Sequence, residues 1–495
     1  MKRSSTTRAS HVNSGTSIPR QELADGPVRG PVFRHPRLHA EVESSESTSL
    51  GGLSLAARLV SRLGIPRLID DRVSVLRSHR PFRESDHVLT HAYNLFAGGS
   101  AIEDIADLQQ SEPVRRILGT PRIPDPTTAG DFLRRFDEEQ IKALDQAIDE
   151  AHGRAWSKWK QRGRRSLGIV DLDSHVHHVY GNQKEGADFT YKGGFGYHPL
   201  VISLAETQEC LRLVNRPGNV TSADGAAGHL KDLAPMLKAR FRRVLVRGDS
   251  AFAQQGIFDV CEAEGLSFAM VSAKQRNFEK LANAIPERDW APFRAADEGT
   301  VPNAQRRKRR SNLRRERARA RGKRDLKLVK QWVAEITYQP ARSKRSYRLI
   351  VRRQRIEESN QGEFFERWRY RFVLTNLPDS TTTEEAVRQT YRRCDQEKVI
   401  EQLQNGIAAM KLPTGTLLAN HAYLVCARLA QNMKCWLAML ALPAETMRWE
   451  WKRFRRSFVY IAARITTSGR RWILRIADSH RVAGEVARGI ARLQT

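Results

Sequence analysis

The sequence predicts an α/β protein in which a helical N-terminal region leads into a sheet-based core, a β-rich insertion interrupts that core, and helices close the chain. Three observations carry the expectation. The run LGIVDLD at 167–173, Gly-rich turns at Gly193, Gly194 and Gly196, and a second apolar run at 199–205 read as a hairpin of strands. A short apolar strand at 244–246 then gives way, through Arg247-Gly248-Asp249-Ser250, to a helix over 254–264 and another strand over 266–272, which is a β-α-β step. Long stretches of helical period flank both, over 53–159 and 419–442.

At 495 residues the chain has room for several domains, and 84 Lys+Arg against 55 Asp+Glu leave a net charge of +29. Such an excess points to a polyanionic partner. No run of about eighteen apolar residues suggests a membrane span. The basic start MKRSSTTRASHVNSG has no apolar signal core, so a cytoplasmic, nucleoid-associated protein is expected. The five cysteines contain no C-x-x-C pair, which argues against a zinc finger and for single buried thiols. Neither a P-loop nor a strand-linked G-x-G-x-x-G is present.

Residues 1–50, rich in Ser, Thr, Arg and Pro, read as a flexible basic arm. A helical DNA-binding or dimerisation domain is expected over 51–160, with helices at 86–96, 101–108 and 127–156, the last capped by Thr127 or Thr128. The first part of the core spans 161–273. The insertion, 274–368, holds the basic block QRRKRRSNLRRERARARGKRDLKLVK and strands near 332–338, 347–353 and 368–374. The core resumes over 369–440 with a helix at 383–410. Its Val399, Ile400, Leu403, Ile407 and Met410 form an apolar face beside Glu397, Glu401 and Gln404. Helices at 419–442 and 454–474 complete the expectation. In the Arg-rich C-terminal region, 441–495, aromatics such as Trp449 and Trp451 alternate with arginines such as Arg455 in a manner suited to phosphate contacts with stacking.

Side chains alternate along a strand, so Asp171 and Asp173 share a face, and Asp249 stands where the next strand ends. Carboxylates from two strands and a helix can hold two divalent ions about 3.5–4 Å apart, which clamp the attacking and leaving oxygens of a phosphoryl displacement. Oxygen donors suit Mg2+ or Mn2+. His175 and His177, on the same strand face as the acids, also allow a small-substrate metallohydrolase. The bland alternatives are a solvated strand face and a helix cap at Asp249 or Ser250.

The ordered series IVDLDSHVHHVYG, YKGGFGYHPL, Val214-Asn-Arg-Pro-Gly-Asn219, VRGDSAF and YRFVLTNL resembles the DDE transposases of bacterial insertion sequences, most closely the group numbered thirteen-eighty. The resemblance runs from about residue 53 to the C-terminus. It implies an RNase H-like catalytic domain interrupted by a β-strand insertion, with Asp173, Asp249 and Glu397 as catalytic acids and metal ligands, and Asp171 as the alternative first acid. It also implies two Mg2+ or Mn2+ ions, double-stranded DNA bearing terminal inverted repeats, target DNA, and a homodimer assembled on DNA. Of the signature Y-x2-R-x3-E-x6-K, Arg393 and Glu397 keep the spacing, Tyr391 sits one residue too close, and Gln404 replaces the Lys. A catalytically inactive DNA-binding relative is the competing reading. Arg306, Arg307, Lys308, Arg309, Arg310 and Arg393 are the expected DNA contacts.

Replacing Arg306, Arg307, Lys308, Arg309 and Arg310 with Gln should weaken repeat and unrelated DNA alike. The slope of log affinity against log salt should fall by about 0.9 for each phosphate that is no longer neutralised. Salt titrations of both DNAs with both proteins decide it, since coincident slopes would take the block off the phosphates.

Overall fold

The computed structural model describes residues 46–159, 165–180, 183–294, 325–360, 363–391, 394–469 and 471–494. Residues 1–45 of the expected arm, Arg306, Arg307, Lys308, Arg309 and Arg310, and Arg393 lie outside the described residues. After β1 (Ser47–Thr48) come α1 (Leu53–Leu63), α2 (Ile65–Asp70), α3 (Glu84–Ala97), α4 (Ile105–Gln110), α5 (Glu112–Leu118), α6 (Pro126–Leu133) and α7 (Glu138–Lys158). The single helix expected over 127–156 is two. Asp125, not Thr127 or Thr128, caps α6 by accepting the Thr128 N–H at 3.0 Å, and Asp137 starts α7 by accepting the Gln140 N–H at 2.7 Å. Each carboxylate satisfies an orphan donor that an unbroken helix would not expose, and Pro126 is already set for a first turn.

The core begins with β2 (Arg165–Ser174), β3 (His177–His178), β4 (Asp188–Phe189), β5 (Phe195–Tyr197), β6 (Leu200–Leu204) and β7 (Glu209–Val214). It continues through α8 (Ala226–Arg240), β8 (Phe241–Gly248), α9 (Gln255–Ala263), β9 (Ser267–Ser272) and α10 (Arg276–Asn283). Next come β10 (Ala291–Pro292), β11 (Asp325–Tyr338), β12 (Tyr347–Asn360) and β13 (Glu363–Thr375). One sheet takes nine of these strands in the order β10-β11-β12-β13-β9-β8-β2-β6-β7. Within it β2 is antiparallel to β6 and parallel to β8, and β8 is parallel to β9, as the hairpin and the β-α-β step require. Strands β10 to β13 extend this same sheet, because β13 pairs antiparallel with β9, and β13 itself crosses residues 368 and 369. The strand face expected to carry His175 and His177 beside the acids stops at Ser174. His177 and His178 join a separate small sheet, ordered β3-β5-β4.

Then follow α11 (Thr383–Tyr391), α12 (Cys394–Glu401), α13 (Leu417–Leu440), α14 (Trp451–Phe458), β14 (Ala463–Ser468), β15 (Arg471–Ile476) and α15 (Ala483–Gln494). The continuous helix expected to reach Met410 instead widens after α12 into a π turn, where the Ile407 N–H reaches the Gln402 carbonyl at 3.0 Å. Gln402 Oε1 also accepts the Trp451 N–H at 2.6 Å, so the irregular turn docks α14. The helix expected over 454–474 ends at Phe458 and gives way to a hairpin. Ile465, Thr466 and Thr467 favour an extended backbone, and Gly469 at φ 60° supplies its turn. Arg455 is no phosphate contact. It is buried, and donates to the carbonyls of Leu95 and Phe96 at the end of α3, at 2.6 and 3.1 Å.

Helix α13 is buried on nearly every side and sits against α3, α7 and β7. Its polar residues serve the edge strand β7. Asn432 exchanges both amide bonds with the backbone of Cys210 at 2.8 Å, filling ladder positions that an edge leaves open. Arg428 pairs with Asp145 and Asp149 of α7, and Arg212 of β7 also grips Asp149 at 2.6 Å. Burial raises the Asp149 carboxyl, but Arg428 and Arg212 outweigh it and hold the group at about 2. Cys210, Cys261, Cys426 and Cys435 are buried free thiols, as expected. Among the described residues no helix is long and apolar enough to cross a membrane.

Lys434 of α13 is fully buried, and its Nζ lacks a hydrogen-bond partner among the described residues, with the Trp451 ring 5.8 Å away. Burial lowers its pKa. The charged form is therefore disfavoured in the fold, and stability rises as pH climbs from below the lowered folded value towards the unfolded value near 10.4. Lys434→Met should raise stability at pH 7 by about 1–3 kcal/mol and flatten that rise. Urea midpoints at neutral and alkaline pH measure both effects.

Candidate active site

The acids stand at the carboxyl ends of the parallel strands. The last paired residues of β2 and β8 are Asp171 and Arg247, and two residues further on come Asp173, still in β2, and Asp249, just past the end of β8. Alternation puts Asp173 on the face of Asp171. The two carboxylates of the β2 face differ sharply in surroundings. Asp171 is fully buried, and its oxygens accept from Nε and Nη2 of Arg247 at 2.7 and 2.8 Å. Asp173 is half-buried, with Oδ1 accepting the Ser174 N–H at 2.8 Å, and Asp249 is exposed, with Oδ1 accepting the Ala251 N–H at 2.9 Å. Asp249 thus closes a local turn and does not cap α9, whose cap position is Gln254, so neither Asp249 nor Ser250 is the helix cap that the sequence allowed.

Helices α11 and α12 are fastened to this region by backbone carbonyls. Arg247 Nη1 donates to the carbonyl of Gln389 in α11 at 2.6 Å, so one guanidinium joins β2, β8 and α11. Gln396 of α12 donates to the carbonyl of Val201 at 3.2 Å and accepts from Ser203. Val201 is the residue opposite Asp173 in β6, and Ser203 the one opposite Asp171. Glu397 follows Gln396 on α12 and is exposed. Glu401 is engaged elsewhere, accepting from Gln402 within its own turn.

A second chain of contacts supports the end of β2. His198 is buried, and Nδ1 lies 3.0 Å from the Val220 carbonyl, so that nitrogen carries the proton. Nε2, 2.9 Å from Ser174 Oγ, then accepts the hydroxyl proton. Burial lowers the His198 pKa, which keeps this ring neutral. Arg216 Nε donates to the His198 carbonyl at 2.8 Å and fixes the loop from behind. Sequence reasoning passed over Arg247, Gln396 and His198. Arg247 was visible as a charge at the end of an apolar strand, but its partner follows from strand register.

The donor set suits Mg2+ or Mn2+, since such ions take one or two carboxylates and complete their shell with water and phosphate oxygens. Asp173 and Asp249 can supply that pair. Among the described residues no group of three or more His, Cys, Asp or Glu converges on one point, so Glu397 is not gathered with them. His175 and His177, with ring centroids 6.5 Å apart, likewise gather no third ligand among the described residues. Burial and then His175 lower His177 to about 4.

The sequence pattern of the family described as transposase DDE domain group 1 matches residues 31–495. The chain belongs to that family. A piggyBac transposase synaptic complex with hairpin DNA, solved by cryo-electron microscopy, is similar to this DDE-family chain at 9% identity and a TM-score of 0.34, covering 83% of this chain and 81% of that one. No curated protein matches it.

For this DDE-family chain, Asp171→Ala should cost about 3–5 kcal/mol of stability because it strands the buried Arg247 charge. Asp173→Ala, at a half-buried position, should cost about 1 kcal/mol or less. Equal shifts in urea midpoint would mean that the two acids are not distinguished by burial.

Proposed function

We propose that the chain is a DDE transposase of a bacterial insertion sequence, which binds the terminal inverted repeats of its element and catalyses metal-dependent strand cleavage and strand transfer. The single observation that carries this reading is the pair Asp173 and Asp249 at neighbouring carboxyl ends of β2 and β8, in a chain of the DDE family. The strand order β7-β6-β2-β8-β9, with an antiparallel hairpin followed by parallel strands, supports an RNase H-like core. The strands β10 to β13 are then its insertion. The net charge of +29 supports double-stranded DNA as the partner, both repeat and target, with two protomers assembled on it.

In this mechanism Asp173 and Asp249 are the first two acids, with Glu397 the third and all three metal ligands. Asp171 is the weaker alternative because both its oxygens are committed to Arg247. Divalent ions held there would stabilise charge on the attacking and leaving oxygens of an in-line displacement at phosphorus. The protein's own contribution is placement. Arg247 locks the register of β2 against β8, Ser174 and His198 hold the end of β2, and Gln396 fastens α12 to β6 opposite Asp173. Glu397 needs to move with α12 or with bound DNA to join the other two. Arg393 and the basic block supply phosphate contacts that position the duplex without reading its sequence. A catalytically inactive DNA-binding relative is favoured by one observation, Gln404 at the signature Lys position.

Asp173→Asn, Asp249→Asn and Glu397→Gln should each abolish nicking of a terminal-repeat substrate while leaving its binding affinity within about twofold, because each removes a ligand and little packing. Gel assays with Mg2+, Mn2+ and excess chelator measure it. Cleavage that survives in Glu397→Gln but not in Glu401→Gln moves the third acid, and wild-type cleavage in excess chelator ends the metal mechanism.

A further inference from the structure

Away from the acids, a cavity of about 700 Å3 opens where α7, β7, α8 and α13 meet. Its walls carry the opposite charge to the rest of the chain. Asp145 and Asp149 line it but are neutralised by Arg212 and Arg428. That leaves the exposed carboxylates Glu138 and Glu139 of α7 and Asp232 of α8 against Lys142. Glu138 and Glu139 also serve the first turn of α7, where carboxylates offset the helix dipole. Asp232 has no such duty, since it stands midway along α8. His229 and His421 line the cavity too, but burial lowers both, His421 to about 4, so neither adds positive charge at neutral pH. In a chain of net charge +29 this is a place that repels polyanions.

Two unpaired polar atoms on the lining point independently to a ligand. Asn215 is 5% exposed, and its Nδ2 donates to the Leu417 carbonyl at 3.1 Å. Its Oδ1 is left without a hydrogen-bond partner among the described residues, and so is His421 Nε2. Buried polar atoms are rarely left unpaired, and each gains free energy from a group that bonds to it. Beside them Ile141, Leu417 and Leu418 give the cavity an apolar wall.

We propose that this cavity binds a small linear organic cation of the polyamine class, with ammonium groups on Asp232 and Asn215 and methylenes along Leu417 and Leu418. An anion would meet three carboxylates. A bare metal ion is disfavoured, because among the described residues no three of His, Cys, Asp or Glu converge to hold one, and the volume is that of a small-molecule site. Ammonium groups joined by methylenes match both the acceptors and the apolar wall. A bound cation bridges α8 and α13 beside the edge strand β7. None of the three acids lines the cavity, so the site stands independently of the transposase reading.

The test is isothermal titration calorimetry of the full chain, free of DNA, with spermidine as the probe. The wild type should bind it saturably at a single site. Asp232→Asn should weaken binding by about tenfold, the effect of losing one charged hydrogen bond, and Leu418→Trp, which fills the apolar side, should weaken it at least as much. Glu103→Gln, which removes an exposed carboxylate outside the cavity, should change affinity by less than about twofold because distant exposed charges are screened. Equal losses in Glu103→Gln and Asp232→Asn, or wild-type affinity in Leu418→Trp, would mean diffuse attraction only and overturn the site. Absence of saturable binding, or displacement of spermidine by Mg2+ at equal ionic strength, would overturn it as well. Because neither DNA nor cleavage is read, failure here is distinct from failure of the acids, which is judged by nicking in Asp173→Asn and Asp249→Asn.

Discussion

The carboxyl ends of the parallel strands are organised by one buried charge, the Arg247 guanidinium. It forms two bonds to Asp171 and a third to the Gln389 carbonyl, joining two strands and the helix above them. Away from water, neither ion tolerates loss of its partner. Strand register on both sides of the pair is thereby set, and Asp173 and Asp249 inherit their adjacency from it. A one-residue slip of β2 would turn Asp171 and Asp173 to the opposite face.

Around that pair the protein separates polar groups that hold the fold from polar groups left at the surface. Asp171 and Arg247 are buried and satisfy each other, as do Arg212 and Arg428 with Asp145 and the partly buried Asp149. Asn432 closes the backbone of an edge strand, and Arg455 closes the end of α3. By contrast Asp249 and Glu397 are exposed. A cavity of about 700 Å3 lined by Asp145, Arg212, His229 and His421 contains none of the three acids. The DNA substrate proposed above fits this division, since it meets an open surface rather than an enclosed pocket.

Local pattern carried far in some places and failed in others for identifiable reasons. The strands of the hairpin and the β-α-β step were readable because apolar alternation and turn residues agree there. The continuous helices expected over 127–156, 383–410 and 454–474 broke because helical period alone does not register a cap, a widened turn or a β-branched run. Asp125, Asp137, the Gln402 carbonyl and the Ile465-Thr466-Thr467 stretch made those breaks. Arg455 was misread because an arginine between aromatics looks the same whether it faces phosphate or buried carbonyls.

By itself the sequence determined the polyanion-seeking charge, the α/β pattern, the family resemblance and the candidate acids, because these reside in residue type and local spacing. Tertiary structure decided which of two acids on one strand face is structural. Asp171 and Asp173 are equivalent in alternation, and only the parallel register of β8 brings Arg247 against the first and leaves the second half-open. It likewise joined β13 to β9 and set Tyr191 against His198 behind Ser174, since pairing between segments distant in the chain depends on long-range packing that no local window contains.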